Sequence, residues 1–225
     1  MDEYQWNARI AVGVDGSPES RTAALWADEE ALERRCGLTL AHTVLPPVGS
    51  SPFSAGLPKD LNPEAEVRQG ALAELDEIAS TLTAADVQTR IEVGSPSGIM
   101  IGASETAAIV VVGSRGQGGF KRLLLGSVST QVATHSQCPV IVIRSLPDPS
   151  ADTVVLGMDG TAGSSAAIGF AFNMASLSSW RLVVGNRSHG QVMSAVLGSV
   201  SHGVLHHAQA PVAVVSRHQS ATVAP

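Results

Sequence analysis

The sequence predicts an α/β protein, with a doubly wound parallel sheet of five strands followed by a truncated second α/β unit. Short apolar, β-rich runs alternate with longer helical runs between residues 9 and 143, a pattern typical of parallel strands joined by right-handed crossovers. The segments 113–129 (GSRGQGGFKRLLLGSVS) and 185–201 (GNRSHGQVMSAVLGSVS) resemble each other, which indicates an internal repeat. Hydrophobic residues make up 44% of the 225 residues, enough for a sizeable core.

The elements of the first unit follow in order along the chain. The first strand is predicted at 9–14, and Ser17 and Pro18 are a favourable N-cap and first residue for a helix that should run to Arg35. Gly37 is predicted to stop that helix. The later elements are strands at 38–42, 88–93, 107–112 and 139–143, and helices at 64–82, 97–106 and 128–136. The proline-rich segment 44–63 between the second strand and the second helix is predicted to be a long loop.

The glycine-rich segment that follows the fourth strand has the composition of an anion site. Its glycines allow positive φ angles and a close approach of the backbone to a ligand; they are Gly113, Gly116, Gly118 and Gly119. Gly126 and Ser127 then open a helix, whose unpaired N–H groups and dipole favour phosphate. Hydroxyl and guanidinium groups that could contact phosphate oxygens are those of Ser127, Ser129, Arg115 and Arg122.

The position of this loop strengthens the interpretation. In parallel sheets, ligands bind beyond the carboxyl ends of the strands, and Asp15 and the 42–45 segment are predicted at the same edge as the loop. A plain connecting loop before a helix is the alternative. Other glycine motifs fail: no Gly-Lys-Ser/Thr follows the loop, it comes after the fourth strand rather than the first, and no Gly-x-Ser-x-Gly occurs.

Composition excludes several further classes. The formal net charge of −6 argues against a nucleic-acid binder. No stretch approaches the roughly 18 apolar residues of a membrane helix, and residues 1–10 do not resemble a signal peptide. The two cysteines, Cys36 and Cys138, are interpreted as reduced buried thiols. We therefore expect a cytoplasmic protein with neither membrane nor nucleic-acid partners.

Three motifs, in order, resemble the universal stress protein family. Gly113-x2-Gly116-x9-Gly126-Ser127 is similar to its nucleotide-binding motif, residues 12–17 (VGVDGS) to its opening strand and aspartate, and residues 138–143 (CPVIVI) to its closing strand. The resemblance covers residues 7–144 and implies the strand order 3-2-1-4-5. For the branch that carries the motif, it also implies bound ATP, with or without Mg²⁺.

Carried over position by position, the resemblance implies a nucleotide site in the first unit. Adenosine would meet Gly13, Val14 and Asp15, and adenine would face Ala41, His42 and Thr43. Ribose and phosphates would be held by the loop and the following helix start. Those residues are Gly113, Ser114, Arg115, Gly116, Gly118, Gly119, Arg122, Gly126, Ser127, Val128 and Ser129.

The second unit is a shortened copy. We divide the chain into a complete domain at 1–144, a linker at 145–152 and a truncated unit at 153–225. Asp15 lies 98 positions before Gly113, whereas Asp159 lies only 26 before Gly185, so 72 residues are missing. The 181–184 segment could then take the place of strand two or of strand four. If 181–184 takes the place of strand four and the crossover stays right-handed, the helix before it would lie on the opposite face of the sheet from the first helix.

A second nucleotide site is predicted to be weak or empty. Its residues are Asp159, Gly185, Gly198 and Ser199, and Ser188 stands where the first copy has Gly116. A serine there costs on the order of 1 kcal/mol if φ is positive. His202 and His206 have helical spacing, but no third ligand is evident, so we predict no metal site.

These observations predict an ATP-binding stress-response regulatory protein in which nucleotide occupancy alters conformation or partner binding. A slow ATPase or nucleotide-transferring enzyme using the same pocket is one alternative; no catalytic residue is assigned. An interaction scaffold with a vestigial site is another. The protein partner stays unidentified. Because both closing strands are apolar and uncharged edges, we also predict a homodimer or higher assembly through 140–143 and 212–215.

Overall fold

A computed structural model describes residues 8–44, 63–84, 86–117, 125–146, 153–158, 164–176, 182–185, 199–208 and 210–215. The first unit contains β1 (Ile10–Gly13), α1 (Pro18–Arg34), β2 (Leu38–Val44), α2 (Pro63–Ala79), β3 (Val87–Val93), α3 (Pro96–Ala103), β4 (Ile109–Gly113), α4 (Ser127–His135) and β5 (Val140–Ile143). The second contains β6 (Val155–Gly157), α5 (Ser164–Ser176), β7 (Leu182–Gly185), α6 (Ser199–His207) and β8 (Val212–Val215).

The described strands form one sheet in the order β3-β2-β1-β4-β5-β8-β7-β6. Neighbouring strands are parallel within each unit. The predicted α/β class and the order 3-2-1-4-5 of the first unit are therefore confirmed. The units meet where β5 and β8 pair antiparallel, so the carboxyl ends of the two sets of strands point to opposite edges of the sheet.

The helices cover both faces of the sheet and give two apolar layers. One layer joins α1, α2 and α5 and includes Trp26, Leu75, Phe170 and Met174. The other joins α3, α4 and α6, with Met100, Val132 and Leu205 among its members. Each layer runs across the β5–β8 junction, because Ile141 and Ala213 pair on one face and Val140 and Val214 on the other. The two units therefore share a continuous core.

Helix α1 begins as predicted and ends differently. Ser17 is its N-cap, accepting a hydrogen bond from the Ser20 N–H, and Pro18 is its first residue. The cap at the far end is Arg35, which adopts the left-handed conformation with φ 52°; the predicted stop at Gly37 is wrong. At position 37 a β-carbon would overlap the Arg9 guanidinium, so glycine there lets Arg9 keep its place.

In the second unit, β7 takes the place of strand four, and the connection that leads to it from β6 does not have the usual right hand. Strand β7 lies between β6 and β8, while α5 packs on the same face as α1, with Arg34 Nη2 2.9 Å from Met174 Sδ. In the first unit the chain crosses this face from β1 to β2, away from the junction. The strands of the second unit run antiparallel to those of the first. From β6 to β7 the chain crosses the same face but toward the junction, so this connection has the opposite hand to the first. It is therefore left-handed, which is rare.

The closing strands satisfy their hydrogen bonds inside the chain. β5 lies between β4 and β8, and β8 lies between β5 and β7. The predicted pairing of these strands between separate chains is therefore corrected, because neither has a free edge. Among the described strands the outer edges belong to β3 and β6. Both cysteines are free; burial raises the pKa of the Cys138 thiol to about 12, whereas Cys36 is only partly buried.

Candidate nucleotide site

The candidate site lies where β1 and β4 end side by side. Gly13 is in register with Val112 on one side and with Ala41 of β2 on the other. The Val14 N–H donates to the Ala41 carbonyl at 2.8 Å, which fixes the chain as it leaves the sheet. This geometry brings the ends of three strands to one edge, as the sequence predicted for the first unit.

Asp15 is the most highly organised side chain at this edge. Its Oδ1 accepts from the Ser17 N–H at 3.1 Å and from Ser17 Oγ at 2.6 Å, and its Oδ2 accepts from the Gln117 N–H at 2.8 Å. Burial by itself raises the pKa of Asp15, but the hydrogen bonds from Ser17, Gln117 and Ser20 outweigh it and hold the pKa below the usual value of an aspartate. The carboxylate is therefore ionised at neutral pH and joins the glycine loop to the start of α1.

The glycines of the loop have three different structural roles. At Gly113, a β-carbon would lie 2.8 Å from the Glu19 carbonyl carbon, so glycine lets β4 pass close to α1. At Gly116, a β-carbon would overlap Asp15 Oδ2. Gly126 has ordinary extended angles, φ −78° and ψ 158°, and a β-carbon there would make only ordinary contacts of 3.4 Å or more. Of these three described glycines, Gly126 alone therefore has room for a side chain without disturbing the protein itself.

The start of α4 presents N–H groups without a capping side chain. Gly126 is its N-cap, and the Gly126 N–H donates to the Ser114 carbonyl at 2.7 Å. Ser129 Oγ donates to the Gly113 carbonyl at 2.7 Å, so this hydroxyl holds the loop against the helix. Ser127 is exposed and Val128 half-buried at the first turn. Uncapped first-turn N–H groups and the helix dipole make this end suited to an anion.

Among the described residues, Arg115 and Arg144 carry positive charge near the loop. Arg115 forms an ion pair with Glu19, with Nη2 to Oε1 2.6 Å. Arg144, directly after β5, donates from Nη2 to the Leu205 carbonyl at 3.4 Å and to the His206 carbonyl at 3.2 Å. Burial and the nearby Arg115 cation lower the pKa of Arg144. Sequence reasoning missed Arg144, although its position after a central strand was a usable signal.

Two other polar groups at this edge were also missed. The Nε2 of Gln117 and the Oε1 of Glu74 lie where a side chain at Gly16 would extend, and Gly16 has a φ of +78°. Glu74 Oε2 is 4.0 Å from His42 Nδ1. Thus α2 supplies an acidic group that faces the end of β2. No sequence pattern marked Glu74, because it lies on an ordinary charged helix.

Two buried polar atoms at this edge have no hydrogen-bond partner within the part of the chain that the structure describes. They are His42 Nδ1 and Ser114 Oγ. Buried polar groups are nearly always paired, so each of these two atoms lacks a partner, which the described residues do not supply. Both belong to the residues predicted to bind nucleotide. Thr43 lies beside His42 and is half-buried.

Some predicted residues fall outside the described part of the chain. They are Gly118, Gly119 and Arg122 of the first loop, and Asp159 and Gly198 of the second site. Gly185 ends β7 and Ser199 begins α6. Because β7 runs antiparallel to the strands of the first unit, Gly185 lies at the opposite edge of the sheet from Gly113.

The hydrogen bonds to Asp15 predict a pH dependence of stability. With a folded pKa below its unfolded value, the carboxylate stabilises the fold above that value, and the stabilisation is lost as pH falls through the folded pKa. Between about pH 5 and pH 3, the thermal midpoint of the parent should fall more than that of Asp15→Asn. Asp76→Asn, at an exposed position on α2, is the control and should follow the parent. Parallel curves for the parent and Asp15→Asn would contradict the assignment.

No helix in the described ranges is both long and apolar enough to cross a membrane. The universal stress protein family model matches residues 7–144 and 179–216. A universal stress protein of Mycolicibacterium smegmatis (strain ATCC 700084 / mc(2)155) is 35% identical over 174 residues, and universal stress protein Rv2005c of Mycobacterium tuberculosis is 37% identical over 177. Each match covers 74% of this chain and 59% of the relative, so the chain spans about three fifths of their length.

A solved structure supports the fold over nearly the whole chain. The universal stress protein from Archaeoglobus fulgidus DSM 4304 superposes with a TM-score of 0.67 at 18% identity, covering 95% of this chain and 100% of that one. At this identity the likeness concerns the fold alone.

Proposed function

Because the chain belongs to the universal stress protein family, we propose that its first unit binds ATP and that nucleotide occupancy alters its conformation or its binding of a partner. The observation that carries the proposal is the juxtaposition of Asp15 with the glycine loop. The carboxylate bonds to the Gln117 N–H, while the uncapped start of α4 lies at the other end of the same loop. One edge therefore offers an acceptor for sugar or base and donors for phosphate.

The charges at the site favour one orientation of the bound nucleotide, with its phosphates away from Asp15. An ionised Asp15 repels phosphate and accepts hydrogen bonds from ribose hydroxyls or from the adenine amino group. The first turn of α4 attracts phosphate. We therefore expect adenosine beside β1 and β2, where His42 Nδ1 has no hydrogen-bond partner among the described residues. The phosphates belong beside Gly126 and Ser127.

The arginines provide a physical route from occupancy to conformation. Arg115 is paired with Glu19, so contact with phosphate requires this ion pair to open or to be shared. A bound polyanion also relieves the repulsion between Arg115 and Arg144. Arg144 holds the last carbonyls of α6 in the second unit. Nucleotide in the first unit is therefore expected to change the position or stability of the end of α6.

The proposal is tested on the full chain in two steps. Mass spectrometry of small molecules released by denaturing the purified protein should detect ATP, and calorimetric titration of the nucleotide-free protein should give one site per chain. Release of ADP together with measurable turnover would favour the enzymatic alternative. If no nucleotide co-purifies and calorimetry detects no binding of ATP at millimolar concentration, the proposal is contradicted and the scaffold alternative is favoured.

A stoichiometry of two would contradict a different prediction, that the second site is weak or empty. Because Gly185 and Gly113 lie at opposite edges of the sheet, two bound molecules would not compete for space. The calorimetric stoichiometry therefore tests the second site independently of the first.

A further inference from the structure

A pair of histidines on α6 has a geometry that the sequence could not show. His202 and His206 are one helical turn apart, and their Nε2 atoms approach to 3.3 Å. The ring centroids are 4.3 Å apart and the ring planes are inclined by 32°. His202 is exposed and His206 half-buried, so the two nitrogens meet where solvent ions have access.

This separation matches two ligands of one tetrahedral ion. With zinc–nitrogen bonds of about 2.0–2.1 Å and a tetrahedral angle, the two nitrogens should lie about 3.3–3.4 Å apart. Cis ligands of an octahedral ion at the same bond length would be closer, at about 2.9 Å. Residues four apart lie on the same side of a helix, so at this separation one ion can bond to both Nε2 atoms after an adjustment of the ring orientations.

We propose that His202 and His206 form a two-histidine site for a divalent transition-metal ion such as Zn²⁺. Imidazole nitrogen is a ligand for zinc, copper and nickel rather than for magnesium. In the described part of the chain, no third histidine, cysteine or carboxylate joins the pair. Water completes the coordination, so the ion is exchangeable and binds more weakly than a closed structural zinc.

The surroundings of the pair act in both directions. His206 lies in the last turn of α6, where the negative end of the helix dipole favours a cation. Arg144 places positive charge nearby, but it directs its guanidinium at the Leu205 and His206 carbonyls. Arg144 thus bonds to backbone carbonyls and not to the histidine rings, so a metal ion can bind the rings while these hydrogen bonds remain.

The test uses tag-free, nucleotide-free full-length protein at about pH 7.5, where an ordinary histidine is neutral. Zn²⁺, Ni²⁺, Cu²⁺ and Mg²⁺ are titrated separately by calorimetry. We expect one site per chain, with Cu²⁺ bound more tightly than Ni²⁺ or Zn²⁺ and no heat from Mg²⁺. His202→Ala and His206→Ala should each lower Zn²⁺ affinity at least tenfold, and the double variant should lose little more, because each single change already removes chelation.

His207→Ala is the matched control, since it removes the neighbouring histidine and leaves the pair. It should bind Zn²⁺ within about twofold of the parent, and far-UV circular dichroism should show that all variants remain folded. Zn²⁺ should also raise the thermal midpoint of the parent and of His207→Ala but not that of His202→Ala. Unchanged Zn²⁺ affinity in His202→Ala, or an equal loss in His207→Ala, would overturn the assignment. Absence of saturable Zn²⁺ binding would show that the close nitrogens form only an N–H···N hydrogen bond.

Discussion

Replacing Gly126 with valine is expected to lower ATP affinity at least about a hundredfold, equivalent to about 2.7 kcal/mol, while the fold is retained. The valine side chain would stand at the N-cap of α4, where the phosphates must approach the first-turn N–H groups. Within the protein itself, a β-carbon at this position makes only ordinary contacts, the nearest 3.4 Å from the Ser114 carbonyl oxygen. Loss of a favoured N-cap residue costs about 1 kcal/mol of stability.

The measurement is calorimetric titration with ATP, alongside thermal unfolding of each variant. Gly102→Val makes the same chemical change at an exposed position of α3, with nothing within 4 Å of the new β-carbon, and should bind like the parent. Gly126→Ala should fall between the two. Equal ATP affinity in the parent, Gly126→Val and Gly102→Val would remove the start of α4 from the site.

Gly116 is a poorer choice for this test, although the sequence gives the two glycines equal standing. A side chain at Gly116 collides with the Asp15 carboxylate and disturbs the loop even without nucleotide. Loss of binding in a Gly116 variant would therefore not distinguish a blocked phosphate from a displaced aspartate.

Replacing Met174 with alanine is expected to destabilise the entire chain by about 2–5 kcal/mol, the usual range for truncating a buried methionine. Met174 is fully buried on α5 in the second unit, and it belongs to the same apolar layer as Trp26 of the first. Because the layer is continuous, loss of packing in the second unit should weaken the first as well.

Urea unfolding followed by tryptophan fluorescence and by far-UV circular dichroism tests this prediction. Both signals should change in one coincident transition that shifts to lower urea in Met174→Ala. Phe172→Ala is the control on the same helix; Phe172 is 74% exposed, and its loss should shift stability by less than about 0.5 kcal/mol. Separate transitions for the two signals would mean that the units unfold independently.

The sheet of the first unit could be predicted because each buried strand is a short apolar run closed by a turn signal. The N-cap at Ser17 and the edge that gathers Asp15 and the loop followed from the same local rules. The end of α1 could not be predicted in this way. The backbone of Arg35 takes the left-handed turn at a modest cost, while the nearby Gly37 leaves room for the Arg9 guanidinium.

The arrangement of the second unit depends on contacts that no local pattern encodes. Its helix could have taken either face of the sheet, and packing on α1 through Arg34 and Met174 keeps it on the face of its counterpart. The contacts of Glu74 and Gln117 around Gly16 likewise depend on how α2 and the loop fold over the edge. These are tertiary effects, which composition and spacing do not register.

The pairing of β5 with β8 also means that, during synthesis, β5 is made well before the strand that covers its edge. β5 ends at Ile143 and its partner β8 ends at Val215, 72 residues later. At typical synthesis rates of roughly 5–20 residues per second, the first unit waits about 4–14 s with the Val140–Ile143 edge uncovered. During that interval an apolar strand edge is open to other nascent chains, and a ribosome-associated chaperone would protect it until β8 emerges.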